Sequence, residues 1–209
     1  AEFGGIDVVV NNAGIVIPQS IELIDDAAWE QTLATNATAV MRLTRAAVPY
    51  LKQRGSGRII NIGSVYGVVS SDPRIYTDCA RMNSEVYSAS KAAVIQMTKY
   101  FAVHAAPLGV RVNCVSPGGV FNHQGDDFVG NYSQRTPMNR MATDQDICGA
   151  VIFLATPEAV TAVAVRLRDR GELGANVQSL SARVGGGHEV VGWPVLLPMV
   201  AIRSVPAVP

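Results

Sequence analysis

The 209-residue chain is 48% hydrophobic and only 16% charged, which is enough apolar content for one domain with a real core and excludes disorder as the default state. Its 17 Lys and Arg balance 17 Asp and Glu, so net charge directs it toward neither nucleic acid nor an anionic membrane. Cys79, Cys114 and Cys148 are far apart and form no CxxC pair, which argues against a disulfide framework or a zinc site and for a reducing cytoplasm.

The opening AEFGGIDVVV is no secretory signal. The longest apolar stretch, Val190 to Ile202, is too short to span a bilayer and is broken by Pro194 and Pro198. The expectation is a soluble, cytoplasmic protein with no membrane or nucleic-acid partner and no metal.

In chain order, IDVVV (Ile6 to Val10), RIINI (Arg58 to Ile62) and VRVNCV (Val110 to Val115) are nearly continuous β-branched runs, the pattern of strands buried on both faces. Between the first two, Trp29, Leu33, Ala37, Val40, Thr44, Ala47, Val48 and Leu51 recur at helical spacing after a candidate N-cap, Asp25. A second helical pattern runs from about Ser84 to Ala106, with Val86, Ala93, Val94, Met97, Phe101 and Ala105 on one stripe before Pro107 and Gly109. Alternating strands and helices predict an α/β fold with a parallel sheet and right-handed crossovers. A polar, irregular stretch from Gly118 to Thr143 leads into a shorter helix, Asp144 to Ala155. From Pro157 onward the text turns to Val, Pro and Arg without Lys and loses its periodicity.

Ligands of such sheets bind beyond the carboxyl ends of the strands. Those ends carry NNAG (Asn11 to Gly14), GSVYG (Gly63 to Gly67) and SPGG (Ser116 to Gly119). In YSASK, Tyr87 and Lys91 are four residues apart and share one helical face. An ammonium beside a phenol favours the phenolate, pulling its pKa toward neutrality and making it a usable acid/base. Tyr87 also follows the strand that ends at Ser64, so a hydroxyl and a phenol can meet one carbonyl oxygen. Structural readings stand beside these: Asn36 satisfying backbone groups at a helix bend, Ser64 capping a strand end, His104 and His123 as surface residues, and Asp126 with Asp127 as a solvated pair.

NNAG, the helical Asn36 in LATNATAV, Ser64, YSASK and RVNCVSPGG together resemble the short-chain dehydrogenase/reductase family, over roughly Phe3 to Ala155. The resemblance implies a Rossmann-like doubly wound sheet and an NAD- or NADP-dependent oxidoreductase acting on an alcohol or ketone. It implies a catalytic set of Asn36, Ser64, Tyr87 and Lys91. Tyr87 is then the proton donor or base, Ser64 orients the carbonyl oxygen, Lys91 binds the nicotinamide ribose and lowers the Tyr87 pKa, and Asn36 holds a relay water. Asn11, Ala13 and Gly14 would line the cofactor and support the sheet, with Pro117, Gly118 and the Val120 backbone against the nicotinamide. A homo-dimer or homo-tetramer is implied as well, through the two long helices.

Three departures shape the remaining expectations. No TGxxxGxG phosphate-binding turn precedes Ala1, so the sheet is expected to lack its first βαβαβ half, with residues 1–155 the C-terminal portion of the domain. Residues 156–209 are expected to be a divergent tail, poorly ordered or in a non-native frame. The segment between Ser64 and Tyr87 is longer than is usual in the family, by SSDPRIYTDCARMNS (Ser70 to Ser84), which carries Arg74, Tyr76, Asp78 and Arg81 and is expected to meet substrate. That insertion is similar to those of members in bacterial surface-sugar and flagellin-glycan pathways, and Asn122 stands where a cofactor-contacting threonine is common. Two alternatives stay open: an inactive fragment, and a non-catalytic binding or assembly protein on the same scaffold.

Overall fold

The computed structural model describes residues 4–77, 82–157, 159 and 166–168. Four parallel strands, β1 (Val8–Asn11), β2 (Gly57–Ile62), β3 (Val110–Ser116) and β4 (Arg166–Arg168), pair in the order β1-β2-β3-β4. The expected parallel α/β sheet is present. Its first strand begins two residues later than the apolar run, because Ile6 is exposed and the Asp7 carboxylate is drawn outward to Arg54 at 2.8 Å. The short β4 falls in a stretch whose sequence carries no strand signal.

Burial on both faces explains why the strands read as unbroken apolar runs. On one face Val9, Ile59 and Val112 pack against Ala47, Leu51, Ala102 and Ala105 of the two long helices, α2 (Ala39–Arg54) and α3 (Glu85–Ala105). On the other, Ile60, Ile62 and Val115 meet Ala150 and Leu154 of α5 (Asp144–Ala155). The helices are therefore wound on both sides of the sheet. Asp25 caps α1 (Asp26–Leu33) by accepting the Ala28 N–H at 2.6 Å, as the sequence predicts. Thr143 and Asp146 form a capping box at the start of α5.

Two elements carry no clear sequence signal. The long helix after Asp25 is interrupted by one π turn, Ala34–Thr38, between α1 and α2. The stretch expected to be irregular contains α4 (Asp126–Ser133), whose only fully buried residue is Phe128. Eight residues with one buried position are too few for a helical period to stand out. Asp126 and Asp127 lie in its first turn, where the N-terminal dipole favours them, rather than forming a metal site.

Inside the apolar layers runs one polar thread. The Asn11 Nδ2 donates to Asn61 Oδ1 at 2.7 Å and, at 3.4 Å, to Thr44; the Asn61 Nδ2 donates to Thr98 Oγ1 at 2.8 Å. It links β1, β2, α2 and α3 beneath the carboxyl ends of the strands. Asn61→Leu keeps the branching and heavy-atom count of the side chain but leaves Thr98 without its donor and Asn11 with only the long bond. Urea unfolding is expected to show a loss of about 1–3 kcal/mol for each polar group so stranded; an unchanged midpoint would show that the thread is energetically idle.

Candidate active site

The strand-end loops are stitched to one another by backbone. Gly63 N donates to Val115 O at 2.7 Å and Val65 N to Pro117 O at 2.8 Å, so the GSVYG and SPGG turns form one rim. The first loop joins through Asn36. Its Oδ1 accepts the Ile15 N–H at 2.8 Å, and its Nδ2 donates to Ile15 O at 2.9 Å and to Ser90 Oγ at 3.0 Å. Ser90 in turn donates to Tyr87 O at 2.7 Å. The π turn supplies the extra residue that aims this side chain inward, a role such bulges often have at functional sites.

Asn36, Ser64, Tyr87 and Lys91 are all brought together. Ser64 is buried; its Oγ accepts the Tyr66 N–H at 3.1 Å and it stands close enough to the half-buried Tyr87 to act on its phenol. Lys91 is 5% exposed and its Nζ donates to Ile62 O at 2.9 Å. A Cβ on Gly14 would stand 3.3 Å from that Nζ and 3.5 Å from Asn36 Oδ1, so Gly14 leaves a cradle that a side chain would fill. Ala13 and Gly14 are exposed, and Gly118 and Val120 are half-buried.

Two expectations require correction. Asn11 supports the sheet, as expected, but does not line the cleft: it is 5% exposed and its amide belongs to the thread that binds the strands. Nor is the Tyr87 phenol pulled toward neutrality by Lys91. Burial holds it above its ordinary value, Tyr76 pushes the same way, and only the bond with Ser64 opposes them. The reason is geometric, since the Lys91 Nζ lies 5.8 Å from the Tyr87 ring centroid and bonds the Ile62 carbonyl instead. Burial pulls Lys91 itself down to about 8, partly offset by Cys114.

The insertion does not present Arg74 as a free cation. Asp72, 7% exposed, receives the guanidinium of Arg74 at 2.8 Å and that of Arg135 at 3.4 Å. Those bonds from Arg74 hold the Asp72 carboxyl down at about 2. Tyr76 instead acts on Tyr66, with Tyr132 and Tyr87 close by. The sequence singled out Tyr76 but gave Tyr66 and Tyr132 no role. Asp78 and Arg81 lie outside the described residues. Asn122 is exposed and its N–H is taken by Gln124 Oε1 at 2.7 Å. His104 stacks on Tyr100 at 3.9 Å near the end of α3, away from the tetrad. Among the described residues no cluster of His, Cys, Asp or Glu could hold a metal ion, and no helix is long and apolar enough to cross a membrane.

A family profile described as enoyl-(acyl carrier protein) reductase matches residues 1–167. The chain belongs to the short-chain dehydrogenase/reductase family. It is 37% identical over 164 residues to the 3-oxoacyl-(acyl-carrier-protein) reductase FabG of Vibrio cholerae, a match covering 76% of this chain and 62% of that protein. The chain thus spans about three fifths of that relative's length. A short-chain dehydrogenase of Leptospira borgpetersenii, solved with bound NAD+, superposes with a TM-score of 0.74 at 37% identity, covering 79% of this chain and 63% of that one. A gluconate 5-dehydrogenase of Burkholderia cenocepacia, solved with NADP and tartrate, gives 0.68 at 28% identity over 78% and 64%.

The lowered Lys91 pKa has a consequence for this short-chain dehydrogenase/reductase that is independent of activity. Between about 8 and the ordinary 10.5 the unfolded chain binds a proton that the folded chain does not. Folding stability carried by this group therefore rises with pH across that window and is lowest below it. Urea midpoints of wild type and Lys91→Met, followed from pH 7.5 to 10.5, should converge as pH rises; parallel curves would contradict the burial of a titrating ammonium.

Proposed function

We propose that this protein is an NAD- or NADP-dependent oxidoreductase that interconverts a ketone and a secondary alcohol. The observation that carries the reading is the gathering of Ser64, Tyr87 and buried Lys91 at the end of β2, with Ser64 close enough to the Tyr87 phenol to act on it and the Lys91 Nζ 5.8 Å from the Tyr87 ring centroid. The described residues suit the nicotinamide-ribose half of a dinucleotide. Lys91 has three donors and only one is engaged by Ile62, leaving two for ribose hydroxyls. The Gly14 cradle leaves room beside it, and the Pro117 to Val120 turn would flank the nicotinamide. When bound, the cofactor supplies or accepts the hydride.

The chain's own residues handle the oxygen. Ser64 holds the substrate carbonyl oxygen and Tyr87 gives it a proton. A phenol held above its ordinary pKa is a reservoir of protons at neutral pH, which suits the reductive direction. Both Asn36 amide hydrogens are committed, so a relay water would bind by donating to the second lone pair of Oδ1.

For the substrate we favour a polyhydroxylated ketone, such as a sugar or its nucleotide conjugate. The phenols of Tyr66 and Tyr76 lie near Tyr87, and the arginines Arg74 and Arg135 are drawn onto Asp72. A 3-oxoacyl thioester is the second reading, favoured by the identity to the Vibrio cholerae reductase. Initial rates on a panel of keto-sugars and 3-oxoacyl thioesters separate the two. We also infer self-association through the outer faces of α2 and α3, where Tyr50, Tyr100 and Val103 are exposed.

Tyr87→Phe keeps the ring and removes only the proton donor. Its kcat/KM is expected to fall by about 100-fold or more, while the Kd for NADH or NADPH, read by fluorescence, stays within about twofold, far less than the tenfold that 1.4 kcal/mol represents. Turnover retained within about tenfold of wild type would remove Tyr87 from the acid/base role.

A further inference from the structure

The turn that follows β3 carries two consecutive glycines, Gly118 and Gly119, which have no side chain with which to fix their conformation. Its lock comes from elsewhere. The Tyr132 hydroxyl, on α4, accepts the Gly119 N–H at 2.5 Å. The ring lies so close that a Cβ on Gly119 would stand 2.6 Å from Tyr132 Cζ. On the other side the Gly119 carbonyl accepts Ala142 N–H at 2.9 Å, so the turn is gripped between α4 and the segment leading to α5.

The same short helix is fastened to the insertion by four independent contacts. Arg135, just past α4, pairs with buried Asp72 at 3.4 Å. The Asn131 Nδ2 donates to Thr77 Oγ1 at 2.8 Å. The rings of Tyr76 and Phe128 are 5.4 Å apart at their centroids. Ile75, 3% exposed, completes a small core with Phe128 and Met141. An isolated eight-residue helix is marginal in water, so these contacts, rather than propensity, hold α4 in place.

We propose that Tyr132 is a positioning residue that couples the Asp72–Thr77 part of the insertion to the Pro117–Val120 turn, so that the substrate side and the cofactor side of the cleft move as one body. This rests on the oxidoreductase reading for the meaning of the turn but not for the mechanical coupling. Substrate that orders the loop then orders the turn, and nucleotide that orders the turn prepares the loop; the coupling is reciprocal because both ligands bias one element.

Amide hydrogen exchange across residues 117–121, with nucleotide titrations, tests it. Tyr132→Phe retains the ring and loses the acceptor, and should speed exchange at Gly119 by about tenfold, the weight of one net hydrogen bond. Asp72→Asn, which alters the partner of Arg74 and Arg135 rather than the turn, should speed exchange at the same amide by about threefold, within the usual range of coupling. Asn131→Ala, which cuts only the bond to Thr77, should act in the same direction and covers the case in which the buried Asp72 variant fails to fold. In Tyr132→Phe the cofactor KM should rise by about fivefold with kcat within about twofold, since the acid/base pair is untouched. Unchanged exchange at Gly119 in the folded loop variants would overturn the coupling, and a fall in kcat at constant cofactor KM would overturn the positioning role. Wild-type protein that binds no nucleotide would refute the oxidoreductase reading, while the exchange measurements would still decide the coupling.

Discussion

The side-chain amide of Asn36 bonds both backbone groups of Ile15 and the hydroxyl of Ser90, and through them it holds three elements that the chain would otherwise leave independent. Without it, the loop after β1 loses both bonds at Ile15 and, through Ser90, its tie to α3. A primary amide suits this place because it offers one acceptor and two donors in one plane. A π turn puts it there by inserting one residue between two regular helical segments, with a local loss of helix geometry offset by three hydrogen bonds.

From that tie the electrostatics of the site follow. Fixing α3 against the end of β2 buries Lys91 beneath Ile62 and Tyr87 beside Ser64, and burial then acts on both groups by disfavouring charge. The phenol rises and the ammonium falls. The result is a protonated donor next to a lysine with hydrogen-bonding capacity to spare, a different starting state from the phenolate that a bare Tyr and Lys at four-residue spacing would imply. The apolar layers beneath contribute rigidity, since the Asn11, Asn61 and Thr98 thread stops the strands from sliding relative to α2 and α3.

The strands and long helices were legible because both-sided burial writes itself as unbroken apolar runs, and because Asp25 and Gly109 punctuate the helices. The tetrad was legible through resemblance rather than through spacing, since one Tyr and one Lys on a helix mark nothing alone. Asn11 was misplaced because a short polar residue at a strand end reads alike whether it faces the cleft or a neighbouring strand. The roles of Tyr66 and Tyr132 were invisible for a similar reason. Each acts through a contact distant in sequence, with Tyr76 and with Gly119 respectively, and α4 itself carries too little apolar pattern to be seen. Arg74 looked like a ligand group until Asp72, two residues away, proved to be its partner.

In the proposed site, built by the strand-end loops and α3, Lys91 faces the nicotinamide ribose while Ser64 and Tyr87 share the substrate oxygen. A crystal structure with NADP+ and a ketone or alcohol ligand tests it most directly. The account predicts ribose hydroxyls within hydrogen-bond distance of the Lys91 Nζ and the ligand oxygen in contact with both the Ser64 Oγ and the Tyr87 hydroxyl. Nucleotide bound elsewhere, or a ligand oxygen that meets neither hydroxyl, would contradict it.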